Sequence, residues 1–261
     1  MDVLKPQLVV ANWKMNPSTR VQAQEYVADI KKTLGKRELA GNIVIASPFP
    51  FLGDVAKSIG KEKRVVLGAQ NVSYEKMGAY TGEVSLSMLQ DLGVSYVIIG
   101  HSERRALGER DEDVTKKAAL ITKSGVAAIV CVGERERDAY GTHFGTVEAQ
   151  LRAAVKDVPI GKLASLVIAY EPVWAISTST PGAHPATPED AHEMILFIRK
   201  LLTDIYGRAS AYKVRILYGG SVNQKNIESL VLQSGADGYL VGGASLKMNE
   251  FKTIVTTVYG R

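Results

Sequence analysis

Eight short apolar runs punctuate the chain, and each is followed by a stretch where apolar residues return every three or four positions. The runs are residues 8–14, 43–47, 65–70, 96–101, 127–134, 166–171, 215–218 and 238–241. They are almost continuously apolar instead of alternating, which is the pattern of parallel strands covered on both faces. The intervening stretches read as amphipathic helices. In the first, Ala23, Val27, Ile30 and Leu34 fall at i, i+4, i+7 and i+11, with Gly35 placed to end the helix. A second runs from Val114 through Ala118 and Ile121 to Gly125. The longest opens with Thr187-Pro188-Glu189-Asp190: an N-cap, a proline at the first helical position, and acids in the first turn.

Eight strand–helix units without a break in composition predict one closed (β/α)8 barrel over residues 1–261, a length close to the roughly 250 residues this architecture takes. The rival is an open doubly wound sheet, but no GxGxxG follows the first strand. Composition agrees with a folded soluble protein, at 46% hydrophobic and 23% charged residues. The single cysteine, Cys131, excludes an intrachain disulfide, reads as a packed strand residue and fits a reducing, cytoplasmic setting. The apolar stretch 8–11 is too short for a secretory core, and no run approaches the roughly 18 residues of a membrane span. The net charge of +5 suits a small anionic substrate. Nucleic acid is not expected, because the basic stretches 31–37 and 57–64 lack stacking aromatics.

In such a barrel the chemistry gathers where strands end. Polar groups break the apolar runs at those ends. After the first run, strand alternation places Asn12 and Lys14 on one face, with Trp13 and Met15 on the other. His101, Ser102 and Glu103 close the fourth run. Glu171 shares parity with Val167 and Ala169 and so faces inward, where a carboxylate without a partner or a function is costly. Glycine-rich turns at 218–221 and 241–245 offer backbone amides after strands seven and eight, the usual phosphate seat of this architecture. Taken singly, each feature has a plainer reading: a solvated lysine, a core histidine, a buried ion pair, a tight turn. His143, His184 and His192 lack metal-ligand spacing, so no metal is expected.

Together, five segments resemble the triosephosphate isomerase family in order and spacing, over nearly the whole chain. They are Asn12-Trp13-Lys14-Met15-Asn16, Gly100-His101-Ser102-Glu103-Arg104-Arg105, Ala169-Tyr170-Glu171-Pro172-Val173-Trp174, Tyr218-Gly219-Gly220-Ser221-Val222 and Leu240-Val241-Gly242-Gly243-Ala244-Ser245-Leu246. The resemblance implies a cofactor-independent interconversion of dihydroxyacetone phosphate and glyceraldehyde 3-phosphate. It makes Glu171 the base, His101 a neutral imidazole donor to the developing oxyanion, Lys14 a fixed positive charge and Asn12 a holder of the substrate oxygen, roles well known for the family. Glu103 then supports Lys14, and Ser102 contacts Glu171. Ser177, Ser221, Gly242 and Gly243 present amides to the phosphate, and Leu240 and Ile176 roof the base. Tyr170, Trp174, Glu134 and Tyr218 correspond to residues that latch a lid, although solvated strand-end groups are an equal reading of Glu134 and Tyr218. The rivals are another phosphosugar barrel, such as an aldolase, or a catalytically weakened barrel kept for binding or regulation.

The same resemblance implies a homodimer through the loop 70–83, from Gln70 to Glu83. Tyr74, Met77, Tyr80 and Thr81 sit at its tip. The tip would lie beside Asn12 and Lys14 of the partner subunit, and Arg104 would pair with Glu83 of the partner subunit. One segment departs from the family. After Ala175-Ile176 the usual Gly-Thr-Gly-Lys-Thr-Ala is replaced by Ser177-Thr178-Ser179-Thr180-Pro181-Gly182-Ala183-His184-Pro185-Ala186. If closure requires a positive φ at Ser177 or Ser179, serine there, with the added Pro181 and Pro185, predicts a less populated closed lid.

Overall fold

The computed structural model describes residues 7–36, 38–39, 41–138, 140–176 and 186–260. Eight strands, β1 (Gln7–Asn12), β2 (Gly41–Ser47), β3 (Val65–Ala69), β4 (Tyr96–Ile99), β5 (Ala127–Val132), β6 (Leu166–Tyr170), β7 (Arg215–Tyr218) and β8 (Gly238–Val241), close into a barrel. Every neighbouring pair is parallel, and β1 returns to β8 with Val10 opposite Leu240. The principal helices outside it are α1 (Arg20–Leu34), α2 (Leu52–Ile59), α3 (Leu86–Asp91), α4 (Ser102–Ala106), α5 (Asp111–Lys123), α6 (Thr142–Val155), α7 (Pro188–Tyr206), α8 (Arg208–Ala211), α9 (Ile227–Gln233) and α10 (Met248–Tyr259).

Continuous apolarity in the strands has its cause in two separate cores. Leu8, Val10, Val44, Ala46, Ile98, Ile129, Cys131, Val167, Ala169, Leu217 and Leu240 fill the barrel interior. Their sequence neighbours, among them Val9, Ala11, Ile43, Ile45, Val130, Ile168 and Ile216, pack outward beneath the helices. With a side-chain period of two, each strand must be apolar at both parities. Asn12 and Glu171 continue the inward parity past the last apolar layer, so the sheet itself aims them into the mouth.

Helix ends follow local chemistry. The Thr19 hydroxyl accepts the Gln22 amide at the start of α1, and Thr187 with Asp190 forms a reciprocal capping box at the start of α7. α5 begins at Asp111, earlier than the apolar periodicity alone places it, because Asp111, Glu112 and Asp113 supply the acidic first turn. Five strands stop short of the apolar pattern, at Asn12, Ala69, Ile99, Val132 and Tyr170. In two of them the chain turns through a positive φ soon afterwards, 55° at Lys14 and 67° at Gly100. No described helix is long and apolar enough to cross a membrane.

Candidate active site

At the C-terminal mouth of the barrel a cavity of about 380 Å3 brings together Asn12, Lys14, His101 and Glu171 with Ile176, Ser221, Leu240, Gly242 and Gly243. Residues more than two hundred positions apart, such as Asn12 and Gly243, converge because the strand ends do. Asn12 Oδ1 accepts the Lys14 amide at 3.1 Å. Lys14 reaches the cavity by a route that strand alternation does not give. The strand ends at Asn12, Trp13 is buried outward, and Lys14 turns back at φ 55°. That conformation costs a non-glycine residue about 1 kcal/mol or more. Gln70 braces it, donating from Nε2 to the Lys14 carbonyl at 2.9 Å and to the Ala46 carbonyl at 2.8 Å. The Lys14 ammonium meets Glu103 Oε1 at 2.7 Å.

His101 caps α4, its Nδ1 accepting the Glu103 amide at 3.2 Å. A backbone N–H can only donate, so the neutral ring carries its proton on Nε2. That nitrogen lies 3.2 Å from Glu171 Oε1 and 3.3 Å from Asn12 Nδ2. Lys14 holds the Asn12 oxygen, so the Asn12 amide nitrogen faces a second donor and keeps its protons for whatever enters the cavity. Glu171 follows β6, pinned by its amide to the Val132 carbonyl at 2.8 Å, and only 2% of it is exposed. Oε2 accepts the Ser102 amide at 3.1 Å, whereas Oε1, despite its closeness to His101, has no aligned hydrogen bond. Ser102 thus contacts Glu171 through its backbone, and its hydroxyl has no partner among the described residues.

A sequence model described as "Triosephosphate isomerase" matches residues 7–258. The chain belongs to the triosephosphate isomerase family. It is 44% identical over 258 residues to the triosephosphate isomerase of Carboxydothermus hydrogenoformans, covering 97% of this chain and 98% of that one. To the same-named protein of Thermus thermophilus it is 46% identical over 253 residues, covering 95% and 97%. To that of Rubrobacter xylanophilus it is 43% identical over 258 residues, covering 97% of each.

The remaining residues expected from the family resemblance fall around this centre. Leu240 and Ile176 are buried beside Glu171, and the Ser221 hydroxyl donates to the Ala175 carbonyl at 2.8 Å, tying the turn after β7 to the chain just after β6. Gly219 passes so close to Glu171 that a Cβ there would sit 3.0 Å from its Cγ. Ser177, with residues 178–185, lies outside the described residues.

Glu134 is far from a solvated strand-end group. It is 1% exposed, and Oε1 accepts from the Tyr170 hydroxyl at 2.8 Å and from Trp174 Nε1 at 2.7 Å. Burial, reinforced by the Glu134 charge, pushes the Tyr170 phenol up, so it remains a donor. Tyr218 is also buried, but its hydroxyl has no partner among the described residues and does not join this knot.

Four contributors were invisible to motif reading. Arg137 donates to Glu134 at 3.0 Å, to the Tyr170 hydroxyl at 3.0 Å and to Asp190 of the α7 capping box at 2.9 Å, and it lies over the Trp174 ring at 5.2 Å. Gln70 braces Lys14. Glu109, buried and paired with Lys117, accepts the Gly100 amide at 3.0 Å just before His101. Cys131 lies beside Glu171, its thiol pushed well up by burial and further by the Glu171 charge. Only the arginine three positions after Glu134 carried a sequence signal, as a cation within reach of a strand-end acid.

Proposed function

We propose that this chain interconverts dihydroxyacetone phosphate and D-glyceraldehyde 3-phosphate by proton transfer through an enediolate, a step of glycolysis and gluconeogenesis. The observation that carries the reading is the buried Glu171 carboxylate, with one oxygen held by the Ser102 amide and the other free of aligned hydrogen bonds beside a cavity containing Lys14, Asn12 and His101. Glu171 removes a proton from the carbon next to the carbonyl and returns it to the neighbouring carbon. Both carbons lie on one face of a planar enediol, so one base serves both. A positioned base is worth about 10²–10⁴-fold.

The negative charge that develops on the substrate oxygens meets donors already in place. The Nε2 proton of His101 and the Asn12 amide nitrogen hydrogen-bond the oxygens, and Lys14 supplies a fixed positive charge that Glu103 orients. Loss of one preorganised donor of this kind costs about 3 kcal/mol. Amides of Ser221, Gly242 and Gly243, with Ser177 of the lid segment, seat the phosphate. Leu240 and Ile176 keep water from the base, while Glu134, Tyr170, Trp174 and Tyr218 govern the lid. The interconversion needs no external oxidant or reductant, because carbon gains and loses the same electrons within one molecule. None of the eight strands contains a lysine, which argues against a Schiff-base aldolase.

The same reading makes the protein a cytoplasmic homodimer. The loop 70–83 carries Met77, 84% exposed, and a half-exposed Tyr80, and Met15, next in sequence to Lys14, is 93% exposed. These apolar surfaces suit burial against a second copy. Arg104 Nε, shielded and without a partner among the described residues, suits an acid from that copy. A coupled assay on each triose phosphate, with a chelator present, tests the reaction. Turnover in both directions supports it; binding of triose phosphate without turnover would favour a weakened relative kept for binding.

A further inference from the structure

At the mouth, β5 outlasts its neighbour β4. Ile99 is the last β4 residue paired to β5, opposite Val130. A positive φ at Gly100 then takes the chain out of the sheet and into α4. Successive residues of a central parallel strand bond to opposite neighbours. From Ala127 onwards the even residues face β6: the Val132 carbonyl accepts the Glu171 amide at 2.8 Å, and the Glu134 carbonyl accepts the Val173 amide at 3.0 Å. The odd residues face β4, as where the Ala127 amide donates to the Ser95 carbonyl at 2.9 Å. By this parity Gly133 faces β4.

Had β4 run on in register, Ser102 would stand opposite Gly133, with the His101 carbonyl and the Glu103 amide as the bonding partners. Both groups are engaged elsewhere. The His101 carbonyl accepts the Arg105 amide at 2.9 Å within α4, and the Glu103 amide goes to His101 Nδ1 at 3.2 Å. The turn that orients the His101 ring therefore deprives Gly133 of both ladder bonds.

Gln150 of α6 stands in for the missing strand. Its Oε1 accepts the Gly133 amide at 2.8 Å, and its Nε2 donates to the Gly133 carbonyl at 3.2 Å. A side-chain carboxamide carries a donor and an acceptor side by side, so one residue can replace both lost groups. Gly133 in turn packs on the backbone of Glu171, where a Cβ on it would collide with the Glu171 carbonyl. It also sits between the two rungs that carry Glu171 and Val173.

We infer that Gln150 is a positioning residue of the isomerase, holding the end of β5 at the height that places the Glu171 carboxylate. The inference rests on the reaction proposed above. Gln150 does not line the 380 Å3 cavity, so it acts through Gly133 and not on substrate. From the other side the chain is held by β7, where the Tyr170 carbonyl accepts the Gly219 amide at 2.8 Å. Without Gln150 only that second support keeps its full geometry. Two backbone groups of Gly133 lose their partners, and the rungs on either side of it loosen.

The test is steady-state kinetics of Gln150→Met, which keeps the length and bulk of the side chain but neither hydrogen bond. Amide hydrogen exchange at Gly133 reads the brace directly, and circular dichroism confirms folding. The expected result is faster exchange at Gly133 and a kcat lowered by about 10- to 100-fold, as for a displaced catalytic group. KM should hardly move, because Ser221, Gly242 and Gly243 of the proposed phosphate seat are untouched. If Gln150→Met fails to fold, Gln150→Glu decides. It still accepts the Gly133 amide but sets a carboxylate against the Gly133 carbonyl, so kcat should again fall. An active parent and a folded variant with the parent's kcat would overturn the positioning role while leaving the isomerase reading intact. An unchanged kcat with a raised KM would overturn it too, since the brace would then serve binding and not Glu171. A parent enzyme without isomerase activity would overturn both.

Discussion

Glu171 and its immediate neighbours set tight tolerances. Glu171→Gln keeps the shape and the Ser102 contact but removes the base, so kcat should fall by about 10³-fold or more with little change in thermal midpoint. Near-normal turnover in the purified variant would sink the proposed role. Gly219→Ala leaves every functional group in place and presses on the base instead, since its Cβ would lie 3.0 Å from Glu171 Cγ. Displacements of about 1 Å cost on the order of 10²-fold, so kcat should drop markedly while KM moves little. At this scale the sequence was legible wherever parity within a strand decides direction, as for Asn12 and Glu171. At Lys14 the placement in the mouth was right but the reason was not, because alternation presumes extended backbone and the chain has already left the sheet. The closeness of Gln70, Glu109 and Cys131 to the cavity residues was not legible. Their significance lies in what the closed barrel sets beside them, and nothing local records that.

Among elements, the turn after β5 does more than connect. Arg137 joins Glu134 and Tyr170 to Trp174 before residues 177–185 and to Asp190 after them. Arg137→Ala removes the cation from a carboxylate that is 1% exposed, a change costing about 3–5 kcal/mol when a buried charge loses its partner. The expected outcome is a lower thermal midpoint, altered Trp174 fluorescence and a raised KM for triose phosphate, with partial rescue by Arg137→Lys. An unchanged KM in a folded variant would confine Arg137 to a structural part. The existence and order of the strands and helices followed from apolar runs and caps. Strand ends did not, because a polar residue just past the ladder looks the same in sequence as one inside it. The expectation of a hindered lid concerns residues 177–185, which lie outside the described residues.

For the molecule as a whole, a closed barrel was readable because both parities of every strand are apolar and no breaks interrupt the rhythm. The expectation of association rests on the family resemblance, since exposed methionines and tyrosines on one loop do not name their partner. Sedimentation at micromolar concentration should give twice the mass of one chain. A monomer with full activity there would refute the dimer.

The brace on Lys14 has a consequence for how catalysis responds to dilution. Gln70, whose side chain fixes the strained lysine backbone through the Lys14 carbonyl, is also the first residue of the loop assigned to the second copy. Packing of that loop against a second copy would therefore bear directly on the posture of the lysine. Specific activity should then depend on protein concentration, falling steeply once the solution is dilute enough for chains to part and returning on reconcentration. Gln70→Ala should shift that curve to higher concentration, so an assay read across a dilution series reports assembly through the chemistry itself.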